Sequence, residues 1–321
     1  MITIDSLLQE TSRTFALSIP FLESPLRERV GVAYLLFRIA DTIEDETGVD
    51  AASRAALLSQ FSEKASDGAA LRTLLDDATK VLDGAVKVPG YARLLEHAPL
   101  VLSSFESLDS ESRETIASHL ARTCGGMRDH LESAEAPSGV SALRSYCYAV
   151  AGIVGELLTE LFVAVAGRLS SARSELLRLA PAFGEGLQLV NILRDEHEDA
   201  MANRKYLPCD VSRGEIERMA WADLASAADY VRVLESAGAA PGVIAFNAIN
   251  LRLAVDTLSL VGERGPGAKL TRAEVAALID DVRARMTAGR PQSPAVDAAL
   301  ATTAPVVLPG KRVQSGSSSC C

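Results

Sequence analysis

The stretch RVGVAYLLFRIADTIEDE, residues 29–46, decides how the chain folds. Its apolar side chains recur three and four positions apart, the period of one face of an α-helix. The same stretch then turns acidic, with Asp41, Glu44 and Asp45 at i, i+3 and i+4. On a helix these three project from one face, a turn apart. Like charges at that spacing destabilise a bare helix, so something must offset them.

A second stretch, ELLRLAPAFGEGLQLVNILRDEHEDA (residues 175–200), follows the same plan. An apolar helical pattern again ends in carboxylates at the same spacing: Asp195, Glu198 and Asp199. Arg38 lies three residues before Asp41, and Arg194 directly precedes Asp195. The chain carries 42 acidic against 32 basic residues, so one such cluster alone reads best as a solvated helix face. Two of them, each ending an apolar helix and each with its own arginine, suit a diphosphate bound through metal ions. Mg²⁺ is the expected ion, because it takes oxygen ligands, keeps several waters and bridges carboxylates to substrate phosphates. Ser12, Arg13 and Thr14 form a candidate phosphate-binding corner near the start of the fold, and Arg204 and Lys205 add cations just after the second cluster. Arginine suits bidentate phosphate contacts and lysine a point charge.

Helical periodicity extends to LRSYCYAVAGIVGELLTELFVAVAG (143–167), while period-two alternation between tight turns is scarce. The fold class expected is therefore all-α. Pro20 and Pro25 precede a helix over about 26–46; Thr47 to Asp50, Val88 to Gly90, Ala136 to Gly139, Pro208 and Gly265 to Gly267 punctuate the rest. A last helix is expected near 271–288. No linker separates two cores. One helical domain over residues 1–288 and a flexible tail over 289–321, rich in Pro, Ser, Gly and Ala, are expected.

Composition sets the outer bounds. The 321 residues are 48% apolar, ample for a core, and only 5% aromatic, which favours helices over an aromatic-rich sandwich. A net charge of −10 argues against a dominant nucleic-acid surface. Cys124, Cys147 and Cys209 are scattered and form no paired CxxC pattern, pointing to a reducing, cytoplasmic setting. The start, MITIDSLLQETSR, lacks a signal-peptide layout, and no uninterrupted apolar run reaches the ~18–20 residues of a spanning helix. No transmembrane segment is expected, with peripheral contact to a membrane left open. His97, His119, His130 and His197 show no metal-ligand spacing, and nucleophile-elbow, Walker and dinucleotide fingerprints are absent. Tyr146 and Tyr148 are unusual in an apolar segment, since a buried phenol needs a hydrogen-bond partner. Core packing is the default account of Tyr148, and of Gly125, Gly126, Gly152 and Gly155.

Taken together, SRTFALSI (12–19), YLLFRIADTIEDE (34–46), YCYAVAGIVGELLTELF (146–162) and NILRDEHEDAMANRKYLP (191–208) resemble the squalene/phytoene synthase family, the head-to-head prenyl transferases. Either acidic motif alone would be unspecific; the four in this order are not. The resemblance covers roughly residues 5–290, and DTIED with YCYAVAGIVG resembles squalene synthases more than phytoene synthases. It implies a single-domain isoprenoid-synthase-type helical bundle around a central cavity. By position, Asp41, Glu44, Asp45, Asp195, Glu198 and Asp199 would hold magnesium, with Asp41, Asp45, Asp195 and Asp199 counted as catalytic. Ser12, Arg13, Tyr34, Arg38, Gln188, Asn191, Arg194, Arg204 and Lys205 would bind the substrate. Tyr146 matches a tyrosine tied to first-step proton handling.

The implied reaction condenses two farnesyl diphosphates to presqualene diphosphate and reduces it to squalene with NADPH. Arg13, Arg38, Arg194, Arg264 and Lys269 are the candidates to meet NADPH, although the basic cofactor segment of eukaryotic relatives is not clearly matched, and neither is their C-terminal membrane helix. A monomer is expected. Cys320-Cys321 resembles a prenylation signal but also fits a disordered tail. Three alternatives stay open: a phytoene or dehydrosqualene synthase without reduction, a terpene cyclase acting on one prenyl diphosphate, and a non-catalytic helical partner of a synthase.

Overall fold

Short polar residues delimit the helices, as expected of N-caps. The computed structural model describes residues 2–12, 14–133, 138–202, 204 and 206–303. In it Thr3, Asp50, Asp67, Asp109, Ser212 and Thr271 each accept a backbone N–H at the start of a helix. In chain order the helices are α1 (Ile4–Thr11), α2 (Phe15–Ser18), α3 (Leu26–Asp45), α4 (Ala51–Lys64), α5 (Gly68–Leu82), α6 (Pro89–Glu96), α7 (Ala98–Glu106), α8 (Ser110–Glu132), α9 (Gly139–Cys147), α10 (Ile153–Val165), α11 (Arg173–Met201), α12 (Arg213–Ser236), α13 (Pro241–Arg264), α14 (Arg272–Thr287) and α15 (Ser293–Thr303). No strand occurs among the described residues. The all-α expectation holds, and α3 and α14 match the expected helices to within one residue at each end.

The two decisive helices carry two faces each. On α3, Leu35, Leu36, Ile39 and Ile43 are fully buried in the main core. Val30, Ala33, Tyr34, Phe37 and Arg38 occupy the other face and line a cavity. On α11 the equivalent face runs Ala180, Phe183, Gly184, Leu187, Gln188, Asn191. Both faces keep the helical three-four spacing, and both change from apolar to polar toward the C-terminal end of the helix. The remaining cavity wall comes from Phe15, from residues 150–158, from Tyr230 on α12 and from α13.

Close helix contact shapes that wall. A Cβ on Gly155 would collide with the Ala180 carbonyl of α11, and one on Gly184 with the Ala151 carbonyl. Helix–helix packing is therefore the role of Gly155. Gly126 likewise leaves room for the Ala149 side chain. One feature escapes the periodicity: α9 and α10 are joined by a single π-helical turn, Tyr148–Gly152. Such turns insert one extra residue and re-aim the side chains beyond them. Here it presents Val150 and Ala151 to the cavity.

The expected tail boundary at 288 is displaced. Residues 293–303 form α15, which packs back on the domain with Val296 fully buried. Gln292 is buried too and donates from Nε2 to the Val282 carbonyl at 3.0 Å, while Glu235 accepts from the Ser293 N–H at 3.1 Å. An apolar docking face, Ala-rich and lacking long side chains, explains why this segment resembles a tail in composition. The rest of the expected tail, with Cys320 and Cys321, lies outside the described residues.

Two segments are long and apolar enough to cross a bilayer, although neither is an uninterrupted apolar run: Gly139–Val165 and Pro241–Arg264. The second is 67% buried in the protein. The first is 39% buried and contributes Val150, Ala151, Val154, Leu157 and Leu158 to the cavity. Both supply the interior of the bundle.

Candidate active site

The two acidic ladders face one another across a polar cavity of ≈ 860 Å³. Asp45 of the first and Asp195 and Glu198 of the second line it, with Arg38, Asn191, Arg194, Arg204 and Lys269. Below it lies an apolar cavity of ≈ 180 Å³, with Asp41 at its rim. Phe15, Arg38 and Asn191 belong to both linings and mark the junction.

Every ladder carboxylate but one has a cation. Arg38 Nη1 lies 3.2 Å from Asp41 Oδ2. Its guanidinium also donates to the Tyr34 hydroxyl at 3.2 and 3.3 Å and sits 5.5 Å from the ring centroids of both Tyr34 and Tyr91. Tyr34 in turn donates to the Thr11 carbonyl at 3.1 Å. Arg38 is thus held between two aromatic faces, with its charge at the junction. Arg194 pairs with Asp195, Nε to Oδ1 at 2.7 Å. Lys269 Nζ reaches Glu198 Oε1 at 2.6 Å, and the Gly267 N–H donates to the Arg194 carbonyl at 2.7 Å, so the 265–269 turn lies over the second ladder. Arg204 ties the ladders together: Nη2 is 2.9 Å from Asp199 Oδ1, and Nε is 4.0 Å from Asp45 Oδ1.

The exception is Glu44. It is buried, its Oε1 has no hydrogen-bond partner, and it lines neither cavity. Desolvation, reinforced by Asp45 and Asp41, pushes its carboxyl well above the usual range. Burial likewise pushes Asp41 up to about 6, more than Arg38 pulls it down. Asp199 is raised for the same reason, against the opposing effect of Arg204.

Tyr146 stands behind the first ladder rather than in a cavity lining. It is buried, its ring stacked on Tyr206 at 5.1 Å and tilted against His130 at 4.4 Å. The Tyr206 hydroxyl donates to Asp45 Oδ1 at 3.1 Å. Burial raises the pKa of both phenols. Tyr148 donates to Glu156 at 3.0 Å and accepts from Arg122 at 2.6 Å, a satisfied tyrosine as expected.

Other predicted residues divide clearly. Ser12 lines the polar cavity, where its Oγ accepts from the Phe15 and Ala16 N–H groups at 2.8 and 3.3 Å. Gln188 and Asn191 line the apolar cavity below the second ladder. Arg264 is exposed at the end of α13 and lines neither cavity, so the structure does not bring it to the site. Arg13 and Lys205 lie outside the described residues. Tyr91 and Tyr206 were missed by the sequence reading. A lone aromatic near a cationic cluster was their only signal.

The donor set fits a hard divalent cation: oxygen ligands only, on facing helices, with compensating arginines. Among the described residues no three Asp, Glu, His or Cys side chains converge to hold an ion by themselves. That geometry suits an ion that completes its shell with water and substrate oxygens, as Mg²⁺ does.

A family model described as squalene/phytoene synthase matches residues 8–275. Squalene synthase BSS of Botryococcus braunii is 36% identical over 193 residues, covering 60% of this chain and 39% of that protein. Squalene synthase ERG9 of Gibberella zeae is 29% identical over 233 residues, covering 71% and 47%. The match thus spans less than half the length of either relative. Among solved structures, a complex of TcSQS with the ligand BPH1237 superposes with a TM-score of 0.72 at 26% identity, covering 95% of this chain and 92% of that one.

Proposed function

Because the chain belongs to the squalene/phytoene synthase family, we propose that it joins two farnesyl diphosphates head to head and reduces the product to squalene. One observation carries this reading: a polar cavity walled by both acidic ladders adjoins, at Arg38 and Asn191, an apolar cavity lined by the same two helices. An anionic head and a hydrocarbon tail fit that change of polarity.

Asp41, Asp45, Asp195 and Asp199 would hold Mg²⁺, which supplies Lewis-acid stabilisation of the departing diphosphate. Glu198 extends the acidic lining but is engaged by Lys269, and Glu44 supports the first ladder from within the core. Arg38, Arg194, Arg204 and Lys269 bring four positive charges to the polar cavity, where they grip diphosphate oxygens. Phe15, Phe37 and the leucines of α10 and α11 keep water from the allylic cation that forms when the C1–O bond breaks. Tyr206, stacked on Tyr146 and donating to Asp45 at the cavity wall, would place both phenols beside the route by which the proton lost on cyclopropane closure leaves. NADPH would supply the hydride for the second step, its phosphates meeting Arg38, Arg194 and Lys269.

The test is incubation with farnesyl diphosphate and Mg²⁺, with and without NADPH, followed by mass spectrometry. Squalene with NADPH, presqualene diphosphate without it, and no turnover after chelation are expected. A cyclised C15 hydrocarbon overturns the head-to-head reading, and conversion of C20 in preference to C15 diphosphate moves the enzyme to the phytoene branch.

A further inference from the structure

Helix α13 carries FNAIN, residues 246–250, in the middle of an otherwise apolar, buried helix. Asparagine is a poor helix former, because its side chain competes for backbone groups. Burying its amide costs more unless both ends are paired. Two asparagines three positions apart on one buried face therefore need a reason.

Asn250 has one within the protein. Its Nδ2 donates to the Phe246 carbonyl at 2.8 Å and to Ser18 Oγ at 3.2 Å, and Ser18 Oγ lies 3.4 Å from its Oδ1. Asn247 does not. It is 4% exposed, it lines the apolar cavity, and its single hydrogen bond runs from Nδ2 to the Val243 carbonyl at 2.8 Å. A carbonyl can only accept, so that bond fixes which end of the amide is the nitrogen. Oδ1 is left without a donor among the described residues and faces the cavity. The negative end of an oriented dipole thus lies in a water-poor space among aromatic rings, including Phe15 and Phe246, whose centroids are 6.2 Å apart.

Depth tells which ligand atom it meets. On α13, Leu253 lines the polar cavity, whereas Asn250 and Asn247 line the apolar one. At 1.5 Å per residue, Asn247 lies about 4.5 to 9 Å below the boundary between them. In a prenyl diphosphate whose head fills the polar cavity, this is the level of the first isoprene unit. When the C1–O bond breaks, its electron pair leaves with the diphosphate, and the positive charge is shared between C1 and C3. We infer that the Asn247 side-chain carbonyl faces this charge and stabilises the allylic cation. The inference rests on the prenyl-diphosphate reading of the site. The dipole is fixed before the reaction by the bond to Val243, so it needs no reorganisation when charge develops.

The test separates charge from shape. Calorimetry compares two diphosphates with Mg²⁺ present: the 3-aza-2,3-dihydro analogue of farnesyl diphosphate, whose ammonium nitrogen stands for the charged C3, and neutral 2,3-dihydrofarnesyl diphosphate. The quantity read is the ratio of their affinities. In Asn247→Leu the ratio should fall about tenfold, the scale of one charge–dipole contact, while affinity for the neutral compound changes little. Asn247→Ala, which leaves space rather than filling it, should lower the ratio equally, and decides the matter if the leucine variant binds neither compound. An unchanged ratio in a variant that still binds the neutral compound overturns the inference. Neither measurement needs turnover. A wild-type enzyme that makes no C30 product defeats the proposed reaction, whereas this ratio reports on Asn247 alone.

Discussion

The Tyr206 hydroxyl donates a 3.1 Å hydrogen bond to Asp45 Oδ1, joining the loop after α11 to the end of α3 across 161 residues of chain. The same ring stacks on Tyr146 at 5.1 Å. One residue thus positions a first-ladder carboxylate and connects it to the buried tyrosine behind. Tyr206→Phe keeps the stack and deletes the bond. Its stability should change by no more than about 1 kcal/mol, the worth of one partly exposed hydrogen bond. Its kcat should fall about tenfold, and the magnesium concentration needed for half-maximal rate should rise, because Asp45 loses its orientation. Steady-state titration of Mg²⁺ reads both. Wild-type kcat in this variant would show that Asp45 needs no such support.

Asp41 should leave a mark on the pH dependence of stability. Burial raises its folded value from 3.8 to about 6. The folded protein therefore holds a proton that the unfolded chain releases at lower pH. The resulting stabilisation is complete below pH 3.8 and is lost as pH rises through about 6. Asp199 and Glu44 are raised too and act in the same direction. Asp41→Asn removes one such contribution. At pH 7.5 the metal-free variant should be more stable than wild type by about 1 kcal/mol, discounted because part of the carboxyl touches solvent. Its turnover should drop by at least about 100-fold, as for other groups that stabilise transition-state charge. Urea melts at pH 4.5 and 7.5 check the first statement. The same difference between the two pH values in variant and wild type would remove Asp41 from the account.

What could be read from the sequence was whatever repeats along one helix. The ladders, their arginines and the apolar faces leading to them follow the three-four period, so the fold class and most of the charged lining of the polar cavity are legible in the sequence. What depends on contact between distant segments was not. Tyr91 on α6 reaches Arg38 only through the packing of α6 near α3. Arg144 on α9 pairs with Glu185 on α11 and Asp223 on α12, and nothing in the spacing of those three residues suggests a shared site. The π turn at 148–152 interrupts a helical pattern whose spacing gives no sign of it. Glu44 shows the converse limit. Spacing places it on the ladder, but one turn of α3 cannot direct all three carboxylates into the cavity, and this one is buried behind it.

Lys269 tests whether the 265–269 turn contributes charge or structure. Its ion pair with Glu198 joins two well-exposed side chains, 43% and 61% accessible, so its deletion should cost less than about 0.5 kcal/mol. The ammonium nonetheless borders the polar cavity. Lys269→Met should leave the melting temperature unchanged and raise KM for farnesyl diphosphate several-fold, with kcat little altered. Raising ionic strength should shrink the difference from wild type, because an exposed charge is screened within a Debye length. A loss of stability without a change in KM would make the lysine a structural clamp instead.

Gly184 offers the sharpest link between packing and cavity shape. It lies on the cavity face of α11, where a Cβ would meet the Ala151 carbonyl and crowd the Gly152 nitrogen of the π turn. Helix propensity alone predicts that Gly184→Ala stabilises α11 by up to about 1 kcal/mol. The contact predicts the opposite. Both obstacles are backbone atoms, so α10 and α11 must separate, and such overpacking costs about 1–3 kcal/mol. The contact should win, giving a net loss of stability in urea melts. Separation would also shift Val150 and Ala151 in the cavity wall, so affinity for the neutral dihydrofarnesyl diphosphate should fall as well. Gly167→Ala is the control: nothing lies within 4 Å of a Cβ there, and neither quantity should drop. If Gly184→Ala proves as stable as wild type, the helices have more freedom than the tight contact implies, and the π turn is not pinned by α11.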